Sequence, residues 1–256
     1  ASITPVRCAI SLLNGDRSDI HNCMELITTG CSFSDPVTPR PLHTWPGQLE
    51  QMIGAESAVH LGRQSQGNGL IARRLIHHVA HRQDHDNLLV GIMWSGTDRT
   101  QSYTSDYNTD CVRFEGRDCG GYVSQSKGYY QTHNEDPDSG GWLMHNPHWP
   151  QSANHYRTWD PVQGVIETFE WILYTQLIMQ QHHIRYFMMC YMDQVLQNRD
   201  HPAVQHLNQQ IDWDQWVSTQ GCWEWCGSEP DHPTQAQHTA YCEQVIVPWL
   251  HNREYA

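Results

Sequence analysis

Residues 24–35 read MELITTGCSFSD. The apolar and β-branched run Leu26, Ile27, Thr28, Thr29, stopping at Gly30, predicts a strand that leaves through a tight turn. Cys31 and Ser32 then fall at the start of a helical turn, where main-chain N–H groups converge and can stabilise a developing oxyanion. A serine in that place more often caps a helix than reacts. The rest of the chain has to decide between the two roles.

Outward from this strand, short apolar runs alternate with helical patterns, the mark of a parallel sheet covered on both faces. Residues 45–53 (WPGQLEQMI) have helical spacing, and residues 58–61 form a second short strand. Residues 69–81 (GLIARRLIHHVAH) place Leu70, Ile71, Leu75, Ile76 and Val79 on one helical face. The continuous run 87–94 (NLLVGIMW) predicts a central strand buried on both sides. A helix over 161–182, with Pro161 at its first position, presents Val165, Ile166, Phe169, Ile172, Leu173 and Leu177. Residues 184–191 (IRYFMMCY) give a fourth strand. Short helices are expected at 202–209 and 212–218, and a closing helix at 234–250 with Ala240, Val245 and Leu250 turned inward. Residues 99–160 interrupt the rhythm with Gly, Tyr, Trp, Asn and Asp. They are expected to form an ordered insertion or lid with short strands, within one domain spanning 1–256.

Fifteen basic against 28 acidic residues give a net charge of −13, which excludes a surface that tracks phosphates and disfavours anionic lipid. No run of 18 apolar residues is present, so no membrane span is expected. Residues 1–23 lack a basic region followed by an apolar core, so no signal peptide is expected; a cytoplasmic or particle-bound protein fits this. Lys127 is the single lysine, beside 18 histidines and 11 tryptophans. The nine cysteines are odd in number and irregularly spaced, which favours free, buried thiols; Cys111 and Cys119 are the first candidates for a bridge. Cys222 and Cys226 stand four apart, a spacing that fits neither a zinc knuckle nor a redox pair. His77, His78, His81 and His85 lack the carboxylate or thiol spacing of a metal site, so no metal is expected. Trp213, Trp216, Trp223 and Trp225 are expected in the core. Tyr129, Tyr130, Trp142 and Trp149 lie in the insertion, where a lid or glycan contact would be.

Two further segments carry chemistry. Residues 60–69 (HLGRQSQGNG) are small and polar enough for a substrate to approach the backbone, with Asn68 as an amide donor. Residues 229–238 (EPDHPTQAQH) place carboxylates at Glu229 and Asp231 before His232 in a proline-framed turn, an arrangement able to orient an imidazole. The same turn also reads as a solvated cap on the last helix through Thr234.

The ordered blocks GCSFSD, WPGQL, LGRQSQGNGLI, VGIMWSGTDR and DHPTQAQH resemble those of the SGNH (GDSL-like) hydrolase superfamily, in a bacterial and phage branch with GCSF and WSGxDR in place of the usual motifs. The resemblance covers residues 24–99 and 184–250. It implies a three-layer α/β/α fold with a flavodoxin-like parallel sheet, and a serine esterase that needs no cofactor. Ser32 would be the nucleophile and His232 its base. The family places an aspartate three residues before that histidine; Glu229 occupies the position and is favoured, with Asp231 as the alternative and a Ser–His dyad as a third. The N–H groups of Ser32 and Ser65 would form the oxyanion hole. Thr97 stands where the family has an asparagine and is a poorer donor, so Asn68 is the expected substitute. Asp98 and Arg99 either contact substrate or form an ion pair at the mouth, and Trp142 is a candidate substrate contact. The implied substrate is an acylated carbohydrate or other small ester, most simply acetylated. The alternative is a weakened SGNH domain acting as a glycan-binding or structural module, with virion proteins as partners.

Overall fold

The computed structural model describes residues 24–35, 44–63, 65–104, 113–114, 117–118, 141–147, 152–227 and 232–255. Strands β1 (Glu25–Thr29), β2 (Ser57–His60) and β3 (Leu88–Trp94) are separated by helices α1 (Trp45–Ile53) and α2 (Asn68–Ala80). Four further strands follow within the predicted insertion: β4 (Thr100–Thr104), β5 (Arg113–Phe114), β6 (Arg117–Asp118) and β7 (Gly141–His145). The short α3 (Ala153–Tyr156) and the long α4 (Pro161–Gln181) lead into β8 (Arg185–Cys190). Helices α5 (Gln194–Gln197), α6 (Gln205–Asn208), α7 (Cys222–Cys226), α8 (Gln235–Tyr241) and α9 (Val247–Asn252) complete the described order.

Four strands form one parallel sheet in the order β2-β1-β3-β8, the flavodoxin-like arrangement expected. All seven residues of β3 are buried, as a central strand between two helical layers requires. Alternation along the strands sorts the core into two. Ile27, Val90, Ile92, Trp94 and Met188 pack against Ile71, Leu75, Phe169 and Ile172 of α2 and α4. Leu26, Leu89, Met93, Phe187 and Met189 pack against Trp45, Leu49, Tyr241, Ile246 and Leu250 on the opposite face. The fold is a three-layer α/β/α sandwich.

Local chemistry sets the helix ends. Gly54 caps α1 in the left-handed conformation (φ 62°). Asp160 accepts from the Val162 N–H ahead of Pro161 in α4, and Thr234 and Gln237 form a capping box on α8.

Some expectations are corrected. The closing helix is not continuous: a π-helical segment, Cys242–Ile246, joins α8 to α9. Pro248, in the first turn of α9, has no N–H to donate back into the preceding turn, and a wider turn accommodates that loss. Its buried face is carried by His238, Tyr241, Cys242, Ile246 and Leu250; Ala240 and Val245 are half-buried. Leu177 is exposed, because α4 is apolar on more than one side and turns Thr175, Gln176 and Met179 inward at that level. Around 212–218 the structure forms a single 3-10 turn, Trp213–Gln215. Trp216 is in the core, and Trp213, Trp223 and Trp225 pack partly buried against it. In the insertion β4 pairs antiparallel with β7, and β5 with β6. No helix among the described residues is long and apolar enough to cross a membrane.

Candidate active site

The turn after β1 is nested against its neighbours so tightly that two positions tolerate only glycine. A Cβ on Gly30 would stand 2.3 Å from Ser34 Oγ, and one on Gly62 would stand 2.2 Å from the Ser34 carbonyl oxygen. The chain then winds into a 3-10 turn, Ser32–Ser34, in which the Ser34 N–H donates to the Cys31 carbonyl. Trp45 Nε1 donates to Ser34 Oγ at 2.8 Å, fixing α1 to the turn. Beneath it the Gly30 carbonyl accepts from the Arg63 N–H and from Gln66 Nε2 (2.7 Å), while buried Arg74 donates to Gln66 Oε1.

Ser32 is half-buried at the carboxyl end of β1, and His232 reaches it from 200 residues further along the chain. The His232 Nε2 to Ser32 Oγ distance is 2.7 Å, so with Nε2 unprotonated the hydroxyl donates to it. The His232 ring packs on Phe33 (centroids 5.0 Å apart), and Phe33 also meets Tyr191 (5.2 Å) and His238 (6.0 Å) edge-on. His238 is buried and its pKa is lowered to about 4, first by desolvation and then by His232. Glu229 and Asp231 lie outside the described residues.

Ser65 has φ 60°, a left-handed conformation rare for a residue with a side chain. It occupies the position where the resemblance expects glycine. Neither the Ser32 nor the Ser65 N–H has a main-chain acceptor among the described residues.

Asn68 does not fit its expected role in the oxyanion hole. Its Nδ2 donates to the Ser95 carbonyl (3.2 Å) and to Thr168 Oγ1 (3.0 Å), and its Oδ1 accepts from the Ser95 N–H. The amide is consumed in tying the loop after β3 to α2 and α4. Thr97 is buried beside it, and its N–H donates to Gln194 Oε1 at 3.2 Å. The expected Asp98–Arg99 ion pair does not form. A tight turn, closed by the Arg99 N–H on the Gly96 carbonyl, carries the two residues. Asp98 Oδ1 is buried without a hydrogen-bond partner among the described residues, and Arg99 donates to Ser95 Oγ and the Tyr191 hydroxyl. The Trp142 side chain lies outside the described residues; its backbone pairs with Tyr103.

Sequence reasoning missed Gln66, Arg74, Phe33, Tyr191 and His238. Of these, Arg74 falls within the apolar stretch of α2, but nothing local marks it as buried until Gln66 is placed opposite it.

Fold and site together define a parallel α/β protein in which a serine and a histidine meet at the carboxyl edge of the sheet. The chain belongs to a family described as "Family of unknown function (DUF6071)", which it matches over residues 34–224. That span begins just beyond Ser32 and ends before His232. No curated protein matches the chain. Among solved structures it is similar to a protein of Desulfitobacterium hafniense DCB-2 assigned to the G-D-S-L lipolytic family, at 10% identity and a TM-score of 0.45, over 86% of this chain and 96% of that one.

Proposed function

We propose that this protein is a serine ester hydrolase of the SGNH type that removes short acyl groups, with an acetylated carbohydrate as the favoured substrate class. One observation carries the reading: the 2.7 Å contact between Ser32 Oγ and His232 Nε2. A hydroxyl at that distance from an unprotonated imidazole can lose its proton as it attacks a carbonyl. The ester carbonyl carbon bonds to Ser32 Oγ while His232 takes the proton. The resulting oxyanion faces the Ser32 and Ser65 N–H groups. Collapse expels the alcohol, which receives the proton from His232, and leaves an acyl-serine. Water, deprotonated by His232, then attacks that ester; the acid leaves and Ser32 recovers its proton. Substrate size is argued from exposure. Ser32 is half-buried and His232 exposed, an open setting that suits a short acyl group on a bulky alcohol.

A second reading, a glycan-binding module with weakened catalysis, is favoured by the commitment of the Asn68 amide, the expected substitute donor, to structural bonds. Removing one oxyanion donor costs about 10²–10³ in rate. Turnover of p-nitrophenyl acetate separates the two. Hydrolysis by the wild type that is lost in Ser32→Ala supports the enzyme. Equal background rates in both proteins overturn it and leave the binding module.

A further inference from the structure

We infer that Arg99 forms an anion-recognition subsite beside Ser32 and His232, and that the ester taken there carries a negative charge, a carboxylate or sulfate, on its alcohol portion. This rests on the hydrolytic reading and narrows its substrate to acidic acylated compounds.

The guanidinium of Arg99 is half-buried, and its partners among the described residues are neutral. Nη1 donates to Ser95 Oγ and Nη2 to the Tyr191 hydroxyl, each at 3.2 Å, and Cζ stands 4.8 Å from the Tyr191 ring centroid. His60–Glu50 and Arg82–Glu25 are ion pairs among the described residues, and Arg99 is in neither. The carboxylate next to it in sequence, Asp98, is in no ion pair with it, and its Oδ1 lies against the backbone of Gly96 without a hydrogen-bond partner among the described residues. A guanidinium offers five N–H donors in a rigid fork, so donors remain for a ligand. Holding this cation partly out of water on neutral partners is costly unless an anion completes it.

Its position ties it to the serine and histidine. The Tyr191 ring under Arg99 packs on Phe33 at 5.2 Å, and Phe33, the residue after Ser32, packs on His232 at 5.0 Å. Two rings, Tyr191 and Phe33, link the guanidinium to the base through three contacts, and Phe33, Arg99 and Tyr191 lie on the segments that follow β1, β3 and β8. The net charge of −13 repels anions in general, so acceptance of an acidic ligand requires a local cation at the site. If Arg99 served only as a clamp on Tyr191, it would not distinguish a charged ester from a neutral one of the same shape.

The test compares phenyl acetate with 4-acetoxybenzoate, the same ester with a carboxylate added. KM for 4-acetoxybenzoate on the wild type is expected to be about tenfold lower, the size of one charge-assisted contact. In Arg99→Gln the ratio of the two KM values should fall to about one, and Arg99→Lys should restore part of it. Equal KM values on the wild type, or a preference that survives in Arg99→Gln, overturn the inference. Calorimetric titration of Ser32→Ala with 4-acetoxybenzoate reads the subsite without turnover. Binding there that is lost in Ser32→Ala/Arg99→Gln supports the anion site even if neither ester is hydrolysed, the result that would remove the enzymatic reading. Absence of binding in Ser32→Ala overturns the subsite.

Discussion

His232 Nε2 stands 2.7 Å from Ser32 Oγ, joining two side chains that the chain holds 200 residues apart. One lies on a turn locked under α1, the other between α7 and the capping box of α8. Each is set by its own local structure, so substituting either should remove function without unfolding the protein. Ser32→Ala and His232→Ala are each expected to lower kcat on p-nitrophenyl acetate by about 10³-fold or more. The double variant should be no worse than the worse single one, because the two act as a unit. Additive losses would argue that they work separately.

Ser65 provides a test on stability. Its left-handed backbone (φ 60°) costs a side-chain-bearing residue roughly 1 kcal/mol, and glycine has no such cost. Ser65→Gly should therefore raise Tm while leaving the N–H in place, and Ser65→Val should lower it. Thermal unfolding followed by circular dichroism reads both; an unchanged or lowered Tm in the glycine variant would count against this backbone geometry.

Acid should weaken the fold through two buried histidines. His145 and His238 each have a pKa lowered from 6.5 to about 4, with desolvation the larger cause. Between those values the unfolded chain binds protons that the folded chain does not. Their stabilising effect is complete above pH 6.5 and declines as the pH falls towards 4. For His238, the more enclosed of the two, the shift corresponds to roughly 3 kcal/mol, and solvent screening makes the contribution of His145 smaller. Urea midpoints measured from pH 7.5 to 4.5 should decline, and His238→Gln should flatten the profile. A wild-type midpoint that stays constant over this range would contradict it.

Cys222 and Cys226 should differ sharply in reactivity. Their sulfurs are 4.0 Å apart; burial raises the Cys222 pKa, whereas a hydrogen bond from Cys222 lowers that of half-buried Cys226. Among Cys31, Cys190, Cys222, Cys226 and Cys242, iodoacetamide at pH 7.5 should label Cys226 first, as read by peptide mass mapping. Faster labelling of Cys222 would reverse the assignment.

The sheet was legible because its signal is local. The run 87–94 is apolar without interruption, and a strand buried on both faces needs nothing else. Turn glycines such as Gly30 and Gly62 were legible for a similar reason, since close packing leaves a residue-type mark. Asn68 was not. Its partners Ser95 and Thr168 lie 27 and 100 residues away, and no neighbouring residue marks a buried amide as already engaged. Arg74 reads as a surface residue of an amphipathic helix until a buried glutamine is found opposite it. The exposure of Leu177 was hidden because α4 is apolar around most of its circumference. The break at residues 242–246 depends on a missing donor at Pro248, which local periodicity does not register.

The pairing of Thr104 with Gly141 sets the ends of the 105–140 stretch side by side on adjacent strands. That interval therefore begins and ends at a single antiparallel pairing, ten residues beyond the end of β3. A foreign loop can therefore be grafted between Thr104 and Gly141 with both of its ends already held at the spacing of neighbouring strands, which keeps the entropic cost of closing it small.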